Sequence, residues 1–214
     1  ARDFYPIALV GTSPNVLLAH PAFAPRDLKE LTTYARANPD QVSFGSGGSG
    51  TGPHLSGELL KRMGKIPMTH IPYKGSGPAL TDVISGQTQL MISTLAPAIP
   101  LVNSQRLRAI AVTSAKRATQ LPDVPTVAEQ GLAGFDAVTW YAVLAPAATP
   151  REVTERLRQA LETALTSKEV MLRMDALGID PGDGQLGGKA LQDRIEVELA
   201  RWGQLIKEGG IRAD

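Results

Sequence analysis

The stretch Gly45-Ser46-Gly47-Gly48-Ser49-Gly50-Thr51-Gly52-Pro53-His54 lies between a short strand candidate at Gln41 to Phe44 and a helical face marked by Leu55, Leu59, Leu60 and Met63. A glycine-rich turn that ends a strand and opens a helix is a βα junction, and the pattern recurs on either side of it. Upstream, Ile7 to Val10 and Asn15 to Ala19 read as two strands. Pro25 suits the first turn of a helix whose Leu28, Leu31 and Tyr34/Ala35 recur at helical spacing until Asn38-Pro39 stops it. Downstream, Met68 to Tyr73, Leu90 to Ser93 and Leu107 to Thr113 are strand candidates. Helical faces at Ala79 to Ile84, stopped by Gly86, and at Ala98 to Val102 separate them. This alternation predicts an α/β fold with a parallel sheet covered on both faces, because parallel neighbours require long right-handed crossovers.

A polar loop, Ser114 to Phe135, leads to one more strand at Val138 to Leu144. From Pro150 the character changes. Val153, Leu157, Ala160, Leu161 and Ala164 mark one amphipathic helix, Val170 to Leu177 a second, and Leu191 to Leu205 a third that ends at Gly209-Gly210, with a loop at Gly178 to Gly188. A boundary near Ala145-Pro146 is therefore expected, beyond which the helices have no sheet of their own. Across all 214 residues, 22 Lys and Arg stand against 21 Asp and Glu, for a net charge of +1, so the basic excess of a nucleic-acid partner is absent. With no cysteine, disulfides, thiolate nucleophiles and Cys-ligated metals are excluded. No apolar run approaches the roughly 18 residues that span a bilayer, and Ala1 to Pro6 lack the succession of a signal peptide.

The residues that carry chemistry cluster at two junctions. Between Gly45 and Gly52, glycines let backbone amides approach a ligand, and the following helix N-terminus favours an anion; a plain turn capped by Ser or Thr is the alternative. Gly45, Gly47 and Gly50 also satisfy G-x-G-x-x-G. The matching ribose-binding acid is missing, since the next strand runs into Lys74 and the nearest acids, Glu58 and Asp82, lie in helical segments. The second junction, His70-Ile71-Pro72-Tyr73-Lys74-Gly75-Ser76-Gly77, should line the same crevice, because ligands of open α/β sheets sit outside the carboxyl ends of strands. There Lys74 either pairs with an anion or is solvated, and Tyr73 either faces the ligand or packs. His20, His54 and His70 stand beside no nucleophile or second ligand, so neither a triad nor a metal site is expected. Trp140 and Trp202 read as packing residues.

At these residues the chain resembles the tripartite tricarboxylate transporter receptors, the extracytoplasmic solute-binding Bug proteins. The resemblance is carried by Asp3-Phe4-Tyr5-Pro6-Ile7, Ser46 to Leu55, His70 to Gly75, Leu107 to Thr113, Leu121 to Thr126, Trp140-Tyr141, Leu144 to Pro146, and Trp202 with Gly209-Gly210-Ile211. It implies a periplasmic-binding-protein (Venus-flytrap, type II-like) fold. One complete α/β ligand-binding lobe, 7–143, would have a parallel-rich sheet flanked by helices; a helical segment, 144–214, would belong to the other lobe, and roughly the first third of a family member has no counterpart here. It further implies a periplasmic, monomeric receptor that needs no cofactor, does no chemistry and delivers a small carboxylate or dicarboxylate to membrane transporter subunits. Position by position, it puts a ligand carboxylate on Ser46, Gly47, Ser49, Gly50 and Thr51, with His54 bracing that loop. Tyr73, Lys74 and Gly75 fall at the cleft wall, Ser13 and Asn15 near the crossover, and Ser93 where many relatives carry an acid. Two rivals remain at this point: a nicotinamide-dependent or phosphate-handling α/β enzyme using Gly45 to Gly50, and an interaction module that binds no small molecule.

Overall fold

Residues 4–19 carry the first departure from these expectations. The structure, a computed structural model, describes residues 3–181 and 187–212, so residues 182–186 of the expected Gly178 to Gly188 loop lie outside the described residues. The two expected N-terminal strands are one, β1 (Phe4–Ala19). The backbone stays extended between them because Gly11 and Thr12 pair antiparallel with Pro181 and Asp180 of β7 (Asp180–Pro181). A Cβ at Gly11 would lie 2.5 Å from the Asp180 carbonyl, so this close approach requires glycine.

The remaining elements follow the punctuation of the chain. Helix α1 (Leu28–Ala37) starts at Asp27, whose carboxylate accepts from the Glu30 amide, so Pro25 precedes the helix. Then come β2 (Ser43–Ser46), α2 (Gly52–Gly64), β3 (Thr69–Pro72), α3 (Ser76–Ile84), β4 (Leu90–Thr94), α4 (Leu95–Asn103) and β5 (Arg108–Val112). The chain continues through β6 (Val138–Pro146), α5 (Arg151–Leu165), α6 (Lys168–Ala176), β7 and α7 (Gly188–Gly209).

Two compact units emerge. One comprises Pro14–Thr139 with Leu205–Asp214. Its strands lie in the order β3-β2-β4-β1-β5. β2 is parallel to β3 and β4, whereas β1 runs antiparallel between β4 and β5, from Asn15 opposite Thr94 to Ala19 opposite Leu90. The sheet is thus parallel-rich rather than wholly parallel. A strand that comes before every helix of the unit is under no crossover constraint, so it can enter the middle of the sheet in the opposite sense. Both faces are covered, as the unbroken apolar strands anticipate. Val16, Leu18 and Met91 pack with Ala79, Val83, Leu95 and Ala98 from α3 and α4. On the other face, Gly57 of α2 sits where a Cβ would come within 2.3 Å of the Phe44 ring. Leu17, Leu18, Phe44 and Ile92 are fully buried, at about 1.5–3 kcal/mol each.

The second unit comprises Ala1–Ser13 with Trp140–Gln204. Its helices do have sheet partners within the chain, contrary to expectation: β6 and β7 both pair with β1. Ile7, Ala8 and Ala145 form a small core against Val143 and Leu161. Helix α5 buries Thr154 and Leu165, while Val153 and Leu157, expected on its packed face, are 44% and 42% exposed. Periodicity identifies an amphipathic helix, but which side of a broad apolar stripe is covered depends on what it meets.

Candidate functional site

Because β2, β3 and β4 are parallel, their C-terminal ends share one edge of the sheet, and α2, α3 and α4 all begin there. Each helix start offers amides without intrahelical partners and the positive end of a macrodipole. The three junctions use them differently.

At the first, Thr51 caps α2: its Oγ1 accepts from the His54 amide at 3.5 Å and donates to the Gly48 carbonyl at 2.8 Å. Pro53 removes one more donor. The Gly48 amide donates to Ser46 Oγ at 3.3 Å, and the Gly50 amide donates to His54 Nδ1 at 3.0 Å. With Nδ1 accepting, the ring proton of His54 sits on Nε2, which lies 3.7 Å from Glu58 Oε1. The ring stacks on His70 with centroids 3.6 Å apart, and His70 Nε2 lies 2.7 Å from Ser46 Oγ. Ser46 and His54 are buried, and Ser49 is engaged as well. Five glycines leave few side chains to fix the loop, so its own hydroxyls and amides do so: the Ser46 and Thr51 hydroxyls bond Gly48, and the Gly50 amide bonds His54. His54 holds the loop through the Gly50 amide. Burial pushes the Glu58 carboxyl up, but hydrogen bonds from His54 and Lys61 and the Lys61 charge outweigh it and hold the group below the usual carboxylate range.

The second junction is open. Helix α3 has Gly75 at its N-cap, with φ of +104° and no side-chain cap, followed by Ser76 and Gly77, and Pro78 carries no amide proton. Nothing lies within 4 Å of where a Cβ would stand on Gly75 or Gly77. This loop is stitched to the first, with Tyr73 and Gly75 amides donating to the Ser46 and Gly47 carbonyls, both at 3.1 Å. A Cβ on Gly47 would lie 3.2 Å from Ser76 Oγ. Lys74 is exposed on the same loop. Tyr73 packs: its ring lies beneath Gly45, and its hydroxyl donates to Asp82 Oδ2 at 2.7 Å. Burial, the Asp82 hydrogen bond and the Asp82 charge push its pKa up to about 12. Asp82 is thereby committed to bracing α3 and does not supply the ribose-binding acid that a dinucleotide site needs.

At the third junction, Thr94 is the N-cap of α4 and makes no side-chain capping bond. Ser93 beside it is fully buried, and its Oγ has no hydrogen-bond partner among the described residues. Asn15, opposite Thr94, is also fully buried, but its amide is occupied: Nδ2 donates to Ser56 Oγ at 2.8 Å, and Oδ1 accepts from Thr139 Oγ1 at 2.9 Å. Ser13 is buried on β1 in the other unit and has a partner of its own. The sequence placed Ser76 and Gly77 in the second junction without giving either a contact to the ligand, and gave Thr94 no role. The signal for the first two was the run Gly75-Ser76-Gly77-Pro78, in which the cap position carries no side-chain acceptor. Among the described residues no group of three metal-ligating side chains occurs, and no helix is long and apolar enough to cross a membrane.

Residues 1–211 match the model of TctC, the tripartite tricarboxylate transporter family receptor. The UPF0065 protein in the tcbD-tcbE intergenic region of Pseudomonas sp. (strain P51) is 39% identical over 214 residues, which is 100% of this chain and 63% of that relative's length. Among solved structures, Rpa4515 of R. palustris with adipate is similar at a TM-score of 0.89 and 34% identity, covering 98% of this chain and 69% of the other. MatC (Rpa3494) of Rhodopseudomonas palustris with bound malate is similar at a TM-score of 0.86 and 30% identity, covering 95% and 69%.

Proposed function

The chain belongs to the tripartite tricarboxylate transporter receptor family, and we propose that it serves to capture a small dicarboxylate outside the cytoplasmic membrane, in the periplasm, and deliver it unchanged to membrane transporter subunits. The chain spans less than two thirds of the length of its 39% identical relative, so this reading concerns the whole receptor of which the chain supplies a part. In this proposal the unit of Pro14–Thr139 with Leu205–Asp214 is the ligand-binding lobe, in place of the expected 7–143, and the expected helical segment 144–214 belongs to the other lobe only as far as Gln204; the receptor works as a monomer without a cofactor.

One observation carries the reading: three parallel strands end on three helix N-termini at one edge, and two of those termini, at Gly75 and Thr94, have no side-chain cap. A carboxylate would take the amides of Ser76 and Gly77, with Lys74 adding charge and the Ser93 hydroxyl available beside α4. The self-bonded first loop, with Gly47 and Gly50 in it, forms the rigid wall. That relatives were solved with adipate and malate supports this ligand class. A helix terminus contributes about 0.3–1 kcal/mol when exposed and up to about 2 kcal/mol when partly buried. Two such termini reach the roughly 4 kcal/mol of a millimolar constant only at the top of that range, so this edge alone binds weakly.

Thermal shift and calorimetry with adipate, malate and adipamide test the proposal, with NADPH fluorescence as a further arm. Both acids are expected to stabilise the chain and the uncharged diamide is not. Stabilisation by NADPH alone would overturn the receptor reading.

A further inference from the structure

The opposite end of α2 carries a second constellation. A groove of about 720 Å3 opens where the last turn of α1, the C-terminus of α2 and the last turn of α7 meet, all within the Pro14–Thr139 and Leu205–Asp214 unit. Its floor is apolar, with Ile66 and Leu205 buried beside Pro67. Arg36, Lys61, Arg62 and Lys65 line it together with two acids, Glu58 and Glu208. The acids are taken: Lys61 Nζ lies 2.9 Å from Glu58 Oε1, and Arg62 pairs with Glu208. Arg36 and Lys65 have no carboxylate partner among the described residues. Among the described residues Arg36 reaches the Gly64 carbonyl, at 3.4 Å.

Lys65 adds an independent observation. It occupies the left-handed C-cap of α2, at φ 49° and ψ 45°, with its amide on the Arg62 and Lys61 carbonyls. Glycine takes this position without strain, and a residue with a Cβ does not. The chain thus holds a strained, exposed cation at the mouth of a groove whose other unpaired charge is also positive.

We propose that this groove is a docking surface for an acidic peptide segment of a partner protein, its carboxylates meeting Arg36 and Lys65 and an apolar side chain lying on Ile66 and Leu205. The receptor reading, on which this rests, supplies the partner as the membrane carrier. A small anion fits less well, because the two cations without a carboxylate partner sit on different elements over an apolar floor that such an ion would leave uncovered. A bilayer fits less well too, because surface binding draws on clusters of about four to eight uncompensated basic residues, and two of the four here are neutralised.

The test uses the full chain and fluorescence anisotropy of a labelled peptide alternating Glu and Leu, beside a Gln-Leu peptide, phosphatidylglycerol vesicles and inorganic phosphate. The Glu-Leu peptide is expected to bind in a salt-sensitive manner, and Lys65→Glu to weaken it at least about tenfold. Lys65→Gly should weaken it while raising the melting temperature, an opposition that unfolding cannot produce. Stabilisation by adipate, measured in parallel on the same variants, should be unchanged; its absence from the native chain would remove the receptor reading while leaving the groove's own result intact. Equal binding of the Gln-Leu peptide, equal binding to Lys65→Glu, or binding of vesicles or phosphate alone would overturn the proposal.

Discussion

The loops Gly45–Thr51 and Tyr73–Gly77 leave adjacent parallel strands at the same edge and are stitched together by two amide hydrogen bonds, yet they treat their donors in opposite ways. The first, the richer in glycine, closes on itself through Ser46, Thr51 and the stacked His54–His70 pair. The second leaves the start of α3 uncapped beneath open space. Glycine content measures how tightly a backbone can fold, whereas anion binding needs donors that nothing inside the protein has claimed.

The contrast can be broken first at His54. His54→Ala removes the acceptor of the Gly50 amide and the ring stack, and should cost about 1–3 kcal/mol in urea denaturation. A loss near zero would mean that the first loop is not held from within. The open loop responds in affinity rather than stability. Gly77→Asp places a carboxylate where nothing lies within 4 Å, so it should occupy the α3 terminus itself. Adipate affinity should then fall at least about tenfold, near 1.4 kcal/mol, with stability level or slightly raised.

Tyr73→Phe comes next, with an expected loss of about 1 kcal/mol as Asp82 loses its donor. The folded tyrosine is raised to about 12 from 10.0, so its contribution is complete below pH 10 and disappears as pH climbs toward 12. Alkaline melting curves should show that loss in the native chain and not in the variant. The smallest effect lies at Glu58, whose pKa is lowered from 4.5, so its contribution is present above that value and lost as pH falls through the folded pKa. Glu58→Gln should flatten this acid limb of the stability profile.

Much of the unit Pro14–Thr139 was legible because glycine and proline bracket each short strand, and β2 to β5 and α2 to α4 fall close to the expected ranges. The family resemblance was carried by ordered motifs along the whole chain, and the match over residues 1–211 agrees with it. The antiparallel setting of β1 was not legible, since its partners at Leu90 to Thr94 and Arg108 to Val112 are remote in sequence and leave no local trace. Nor was the role of Asn15. A lone asparagine in an apolar run gives no sign that Ser56 and Thr139 will take up its amide. At the candidate site, hydroxyl and glycine content pointed to the edge where β2, β3 and β4 end, but which amides stay unclaimed depends on His54, Thr51 and Gly75 in three dimensions.

The long β1 strand also sets a timetable. Asn15 closes contacts with Thr113 and Thr139, which lie 98 and 124 positions further along the chain. A ribosome releasing this segment in order exposes sixteen extended, mostly apolar residues well before the partners at Leu90–Thr94 and Arg108–Val112 are made. The strand that sits between β4 and β5 is thus made before either of them and seated only after both.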